Sequence, residues 1–197
     1  MYIVHSLKSI FVEVPGTGSG SLTESMAQKY RGKDCEIFHV NKNESAAAFK
    51  LHPEITMGKH FTIEQIKMCI PEKHWEEYKK IGFVREPYDW AKSIYRKNGT
   101  KGSIGIDNSD DFLDFVIKLE KTPYFWLTDR NGKVLVDTIY RTEDIEDIFK
   151  KYQLSPVHLN KSPRPNHLAE LTSEIEAILK EKFAREYKHY ENVDGAT

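Results

Sequence analysis

Two periods organise the apolar positions of this chain. Short β-prone or alternating runs at 9–14, at "CEIFHV" (35–40) and at "KIGFVRE" (80–86) predict three strands. Between them the spacing turns helical. It predicts a helix over 21–31 ending at Gly32, a helical stretch near 44–50, and a helix from Thr62 to about Ile70 with Glu64 and Gln65 in its first turn. Pro71 and Pro87 each suit the first turn of a further helix, "PEKHWEEYKK" and "PYDWAKSIYRK". Phe112, Phe115, Val116 and Leu119 share one face of an amphipathic segment. "YFWLTDRNGKVLVDTIYR" carries the strongest hairpin signal, because Arg130-Asn131-Gly132 separates two apolar runs. A helix over about 142–152, a proline-bearing loop and a long charged helix over about 167–190 complete the pattern. The segment 98–110, rich in Gly, Ser, Asn and Asp, is the clearest long loop. Strands alternating with helices predict an α/β fold: a single domain over 1–197, with a central, mostly parallel sheet flanked by helices.

Composition narrows the class. A chain of 197 residues with 39% hydrophobic and 30% charged positions suits one globular domain with a substantial core. Its 29 basic and 30 acidic residues nearly cancel, so global charge gives no reason to expect a nucleic-acid partner. Cys35 and Cys69 have no metal-ligand or C-x-x-C spacing, which predicts two reduced thiols and no metal. No apolar run approaches the roughly 20 residues that span a bilayer, and no leader pattern opens the chain. A cytoplasmic protein without a transmembrane segment is the expectation.

Candidate chemistry starts at "IFVEVPGTGSGSL" (10–22). A strand, a glycine-rich turn and a helix start gather backbone N–H groups and the positive helix end around one anion. Ser19 and Ser21 add hydroxyls. A Walker A loop requires a lysine that this loop lacks, and no clear Walker B aspartate follows, so a P-loop kinase is disfavoured. In "FVREPYDWAKSIY" (83–95), Arg85 sits at the C-terminal end of a predicted inner strand, where open parallel sheets bind ligands. Ser93 follows eight residues later. Guanidinium and hydroxyl together suit a second phosphate.

These motifs resemble those of the PAPS-dependent sulfotransferase family, in its carbohydrate-type branch. The first segment looks like the family's 5′-phosphosulfate loop, F-x-x-x-P-K-T-G-x-T-S-L. The second is similar to its 3′-phosphate motif, F-V-R-[DN]-P-[YW]-x-R-x-x-S-x-Y. "LTDRNGKVLVDTIYRTEDIEDIF", "HLNKSPR" (158–164) and the terminal "FAREYKHY" follow in the family's order, so the resemblance spans roughly 9–190. It implies a P-loop-like sulfotransferase fold. It also implies transfer of a sulfuryl group from PAPS, with PAP as product and no metal, to a hydroxyl acceptor, most plainly a carbohydrate. Cofactor contacts carry over to Gly16, Thr17, Gly18, Ser19, Gly20 and Ser21, to Arg85 and Ser93, and to Lys161, Ser162 and Arg164 in a closing loop. Arg141 and Glu143 match a motif pair that reads equally as an ion pair.

Two positions depart from the family. Its loop lysine is Gly16 here, and a second arginine five residues after Arg85 is Trp90. Losing the lysine removes charge stabilisation of about 3 kcal/mol, by analogy with other deleted oxyanion donors. Lys59, Lys161 and Arg164 are the candidate substitutes. His60, ahead of a predicted helix, is the expected base for the acceptor proton, with Glu13 as the alternative. His39, His52, His74, His158, His167 and His189 read as packing or surface residues, and Trp75, Trp90 and Trp126 as core. The rival reading is a non-catalytic PAP- or PAPS-binding protein on the same fold.

Overall fold

The structure, a computed structural model, describes residues 1–30, 35–37, 60–98, 111–157 and 169–194. Five strands form one open sheet in the order β3-β1-β2-β4-β5. They are β1 (Tyr2–Val4), β2 (Ser9–Phe11), β3 (Cys35–Ile37), β4 (Lys79–Val84) and β5 (Thr138–Arg141). β2, β4 and β5 run parallel. β1 is antiparallel to both β2 and β3, so four strands point one way and the sheet is mixed.

β1 is the strand that the sequence pattern did not announce. It joins β2 through the turn at His5–Lys8, where Lys8 takes a left-handed φ of 43°. That position favours Gly or Asn, so a lysine there gives no hairpin signal. The hairpin expected around Asn131 takes a different form. Its turn closes, with Gly132 at φ 77° and the Asp129 carboxylate accepting the N–H groups of Asn131 and Lys133. Only one bridge, Thr128 to Val134, extends it. Upstream, Pro123–Trp126 coils into a 3-10 turn whose Tyr124 N–H is taken by the buried Glu186 carboxylate. Downstream, β5 leaves to pair with β4 in parallel. Leu127 packs directly on Gly82 of β4, where a Cβ would stand 2.5 Å from Leu127 Cδ2. Tertiary burial, not turn chemistry, sets these flanks.

Alternation along the strands divides the core between the two faces. Tyr2, Val4, Phe11, Ile81 and Phe83 meet Leu22 and Met26 of α1 (Ser19–Lys29) and Ile148 and Phe149 of α6 (Ile145–Lys151). Ile3, Ile10, Val12 and Val84 meet the other helices. These include α2 (Ile63–Cys69), α4 (Pro87–Asn98), α5 (Phe112–Lys118) and α7 (Ser173–Lys182). The short α3 (Glu72–Glu77) follows Pro71 as expected. A full capping box starts α2: Thr62 accepts from Gln65 N, and Gln65 returns to Thr62 N. The single long helix expected over 167–190 is two, α7 and α8 (Ala184–Asp194), divided at buried Phe183. Trp90 and Trp126 are core, and Trp75 packs at its edge. The expected helix near 44–50, the loop from 99 to 110, and His39, His52, His158 and His167 lie outside the described residues, as does the side chain of Cys35. Cys69 is a free thiol whose pKa is raised by burial. No helix among the described residues is long and apolar enough to cross a membrane.

Candidate functional site

β2, β4 and β5 end on the same side of the sheet, and each delivers a segment there. From β2 comes the glycine-rich loop. Val12 still donates to Ile81 O of β4, after which the chain turns at 15–18 into α1. Gly16 (φ 79°) and Gly18 (φ 69°) take the left-handed conformations that this turn requires. The hydroxyls of Thr17 and Ser19 both donate inward to Val14 O, at 2.8 and 3.0 Å. Ser19 is therefore buried and spent as a donor, contrary to its expected role. What the loop presents outward is backbone. Gly18 is exposed and Gly20 half-buried, and the N-terminus of α1 has no side-chain cap and no acidic residue in its first turn. Such a terminus favours an anion. Ser21 is half-buried and donates its N–H to Gly18 O.

The two departures from the family pattern touch each other. Trp90 is fully buried, and its Nε1–H donates to Pro15 O at 2.6 Å. A Cβ on Gly16 would stand 3.0 Å from that Nε1 and 3.0 Å from Ile94 Cδ1. The indole thus holds the loop from beneath and fills the space that a side chain at 16 would enter.

β4 delivers Arg85. Its Nη1–H donates to Gly16 O at 3.2 Å, joining motifs 69 residues apart. No carboxylate among the described residues pairs with Arg85, so its other four N–H groups remain for an anion. Ser93 is half-buried on α4 and makes no hydrogen bond to Arg85 or the loop among the described residues. Arg96, three residues on and so a neighbour on the helix surface, has Nε and Nη2 shielded with no hydrogen-bond partner among the described residues.

β5 delivers Thr142, which the sequence did not single out, and Glu143. The Thr142 hydroxyl lies between Thr17 O (3.0 Å) and Val84 O (2.9 Å), tying the loop to the end of β4. Glu143 accepts from Glu86 N at 3.1 Å and from the Tyr190 hydroxyl at 2.7 Å. Arg141 instead binds Asp144 through Nε and Nη2, at 2.8 and 3.0 Å, so the expected Arg141–Glu143 pair is not the one formed. Burial and the Glu143 hydrogen bond hold the Tyr190 phenol above its usual range. Burial, then the charge of Arg141, lowers His189, whose Nε2 is shielded with no hydrogen-bond partner among the described residues.

His60 reaches the stem of the loop. Its Nδ1 lies 2.9 Å from Glu13 O. A carbonyl can only accept, so Nδ1 carries the hydrogen and the neutral ring keeps its basic lone pair on Nε2. The Glu13 carboxylate points elsewhere. It is fully buried, 2.7 Å from the Met1 ammonium, and accepts from the Thr23 hydroxyl at 3.0 Å. Its charge is already neutralised and no acceptor can approach it, so the alternative base is a structural ion pair. Lys59, Lys161, Ser162 and Arg164 lie outside the described residues. No group of three or more potential metal ligands occurs among the described residues.

No protein-family model, curated protein or solved structure matches the chain.

Proposed function

We propose that this protein binds a 3′,5′-bisphosphorylated adenine nucleotide at the ends of β2, β4 and β5, and moves a sulfuryl group from PAPS to a hydroxyl acceptor, a carbohydrate. The observation that carries the reading is the contact of Arg85 with the Gly16 carbonyl. It sets a guanidinium with unspent donors beside an uncapped helix N-terminus, as two phosphates on one nucleotide require. The backbone N–H groups of the loop take the 5′ end. Arg85 and Ser93 take the 3′-phosphate.

Sulfuryl transfer is an in-line displacement. The acceptor oxygen bonds to sulfur as the bond from sulfur to the bridging oxygen breaks, the pair leaving on PAP. Catalysis is then positioning and charge stabilisation. His60 Nε2 takes the acceptor proton, in the tautomer that Glu13 O selects. A second reading has its own support: position 16 is closed by Trp90 and Ile94, which fits a protein that binds the nucleotide without turning it over.

Calorimetry tests the shared premise. PAP is expected to bind far more tightly than ADP, and Arg85→Ala to weaken PAP by about 2 kcal/mol or more, since a phosphate loses its charged partner. Equal affinity for PAP and ADP overturns both readings. Labelled PAPS offered with a glycan panel separates them: sulfate transfer identifies an enzyme, and binding without transfer identifies a binder.

A further inference from the structure

The turn that presents Arg85 is held from outside by the C-terminal helix. Glu86, the next residue, gives its N–H to Glu143 Oε1, and its own carboxylate accepts from Asp89 N at 2.7 Å at the start of α4. Glu143 is fixed in turn by the Tyr190 hydroxyl on its second oxygen, at 2.7 Å. The Tyr190 ring lies against Arg141, whose guanidinium carbon is 5.6 Å from the ring centroid, while Asp144 holds the guanidinium edge. The neighbouring Thr142 ties the glycine loop to Val84. Two adjacent residues after β5 therefore join both halves of the site. One of them depends on α8 for its orientation.

We infer that Glu143 and Tyr190 are positioning residues that set Arg85 toward the 3′-phosphate; this rests on the nucleotide reading above. The geometry is specific to one half of the site. Glu143 braces the β4–α4 turn and, among the described residues, makes no hydrogen bond to the glycine loop, which Thr142 and Trp90 also hold besides Arg85. Loosening the brace therefore costs the 3′-phosphate contact more than the 5′ end, whose loop keeps its bonds to Trp90 and Thr142. Tyr190 sits 47 residues from Glu143, so the C-terminal helix takes part in nucleotide discrimination without contacting the nucleotide.

The test compares PAP with AMP, which lacks the 3′-phosphate, by calorimetry on the full chain. Tyr190→Phe keeps the ring against Arg141 and deletes one hydroxyl. It is expected to weaken PAP by about 5-fold, a reduced figure for a hydrogen bond to an exposed carboxylate, and to leave AMP within about 2-fold. Glu143→Ala is expected to cost PAP more than Glu143→Gln, which retains an acceptor for Glu86 N. A ratio of PAP to AMP affinity unchanged by Tyr190→Phe overturns the inference, as does an equal loss for both ligands, which marks general loosening. A wild-type protein that does not favour PAP over AMP overturns the nucleotide reading and this inference with it.

Discussion

Placing a lysine at position 16 is the most direct way to ask whether the loop lacks only the catalytic group that the proposed reading calls for, and the structure predicts that it fails. Gly16 has φ 79°, where an L-residue costs about 1–2 kcal/mol. Its Cβ would lie 3.0 Å from both Trp90 Nε1 and Ile94 Cδ1. Both neighbours are buried, and Trp90 is held by its bond to Pro15 O, so neither yields freely. Overpacking of that kind adds about 1–3 kcal/mol. The sum, about 2–5 kcal/mol, lowers Tm by roughly 4–20 °C in a chain of this length. Differential scanning fluorimetry of Gly16→Lys reads it, with labelled-PAPS turnover expected to stay at or below the wild-type level. The packing part is separable. In a Trp90→Leu background the backbone strain persists and the indole contact is gone, so Gly16→Lys should cost at least about 1 kcal/mol less there, the coupling expected of residues in contact. A Gly16→Lys protein melting within about 2 °C of wild type refutes the reasoning, and so does an equal cost in both backgrounds.

Two further outcomes follow from single side chains. His60→Ala should lower turnover by about 100-fold or more while PAP affinity stays nearly constant, because a base acts in the transition state; loss of PAP binding in step with turnover would make His60 a cofactor contact. His189 has a folded pKa below its ordinary 6.5, from burial first and Arg141 second. The unfolded chain thus binds a proton more readily, so the stability that this residue contributes is full above pH 6.5 and falls as pH drops below that value. His189→Gln should flatten the fall in Tm between about pH 7.5 and 5.5, and an unchanged slope would show that His189 does not set it.

The motifs themselves were legible in the sequence, for reasons internal to each segment. Gly16 and Gly18 announce left-handed backbone, Pro87 announces the start of α4, and the Thr62–Gln65 box fixes the start of α2. Arg85 could be placed at the end of a strand from the strand pattern alone. Each of these depends on neighbours within about four residues, so local propensity suffices to write them down.

What only the tertiary structure decided is whatever joins distant segments. β1 was hidden because its turn uses Lys8, and β5, within the second arm of the expected hairpin, found its partner elsewhere because parallel pairing with β4 is a long-range choice that outweighs a local hairpin signal. The sequence marks Gly16 and Trp90 as two separate departures; the fold makes them one contact, in which the indole stands where a side chain at 16 would go. His60 was the expected base and Glu13 its alternative; the fold buries Glu13 beside the Met1 ammonium, and a hydrogen bond to the Glu13 carbonyl sets the tautomer of His60. Arg141 and Glu143, two residues apart, read as partners until Asp144 and Tyr190 claimed them separately. Charge and hydrogen-bonding capacity are written in each residue type, but which partner satisfies them depends on distances that the chain acquires only when the helices pack onto the two faces of the sheet.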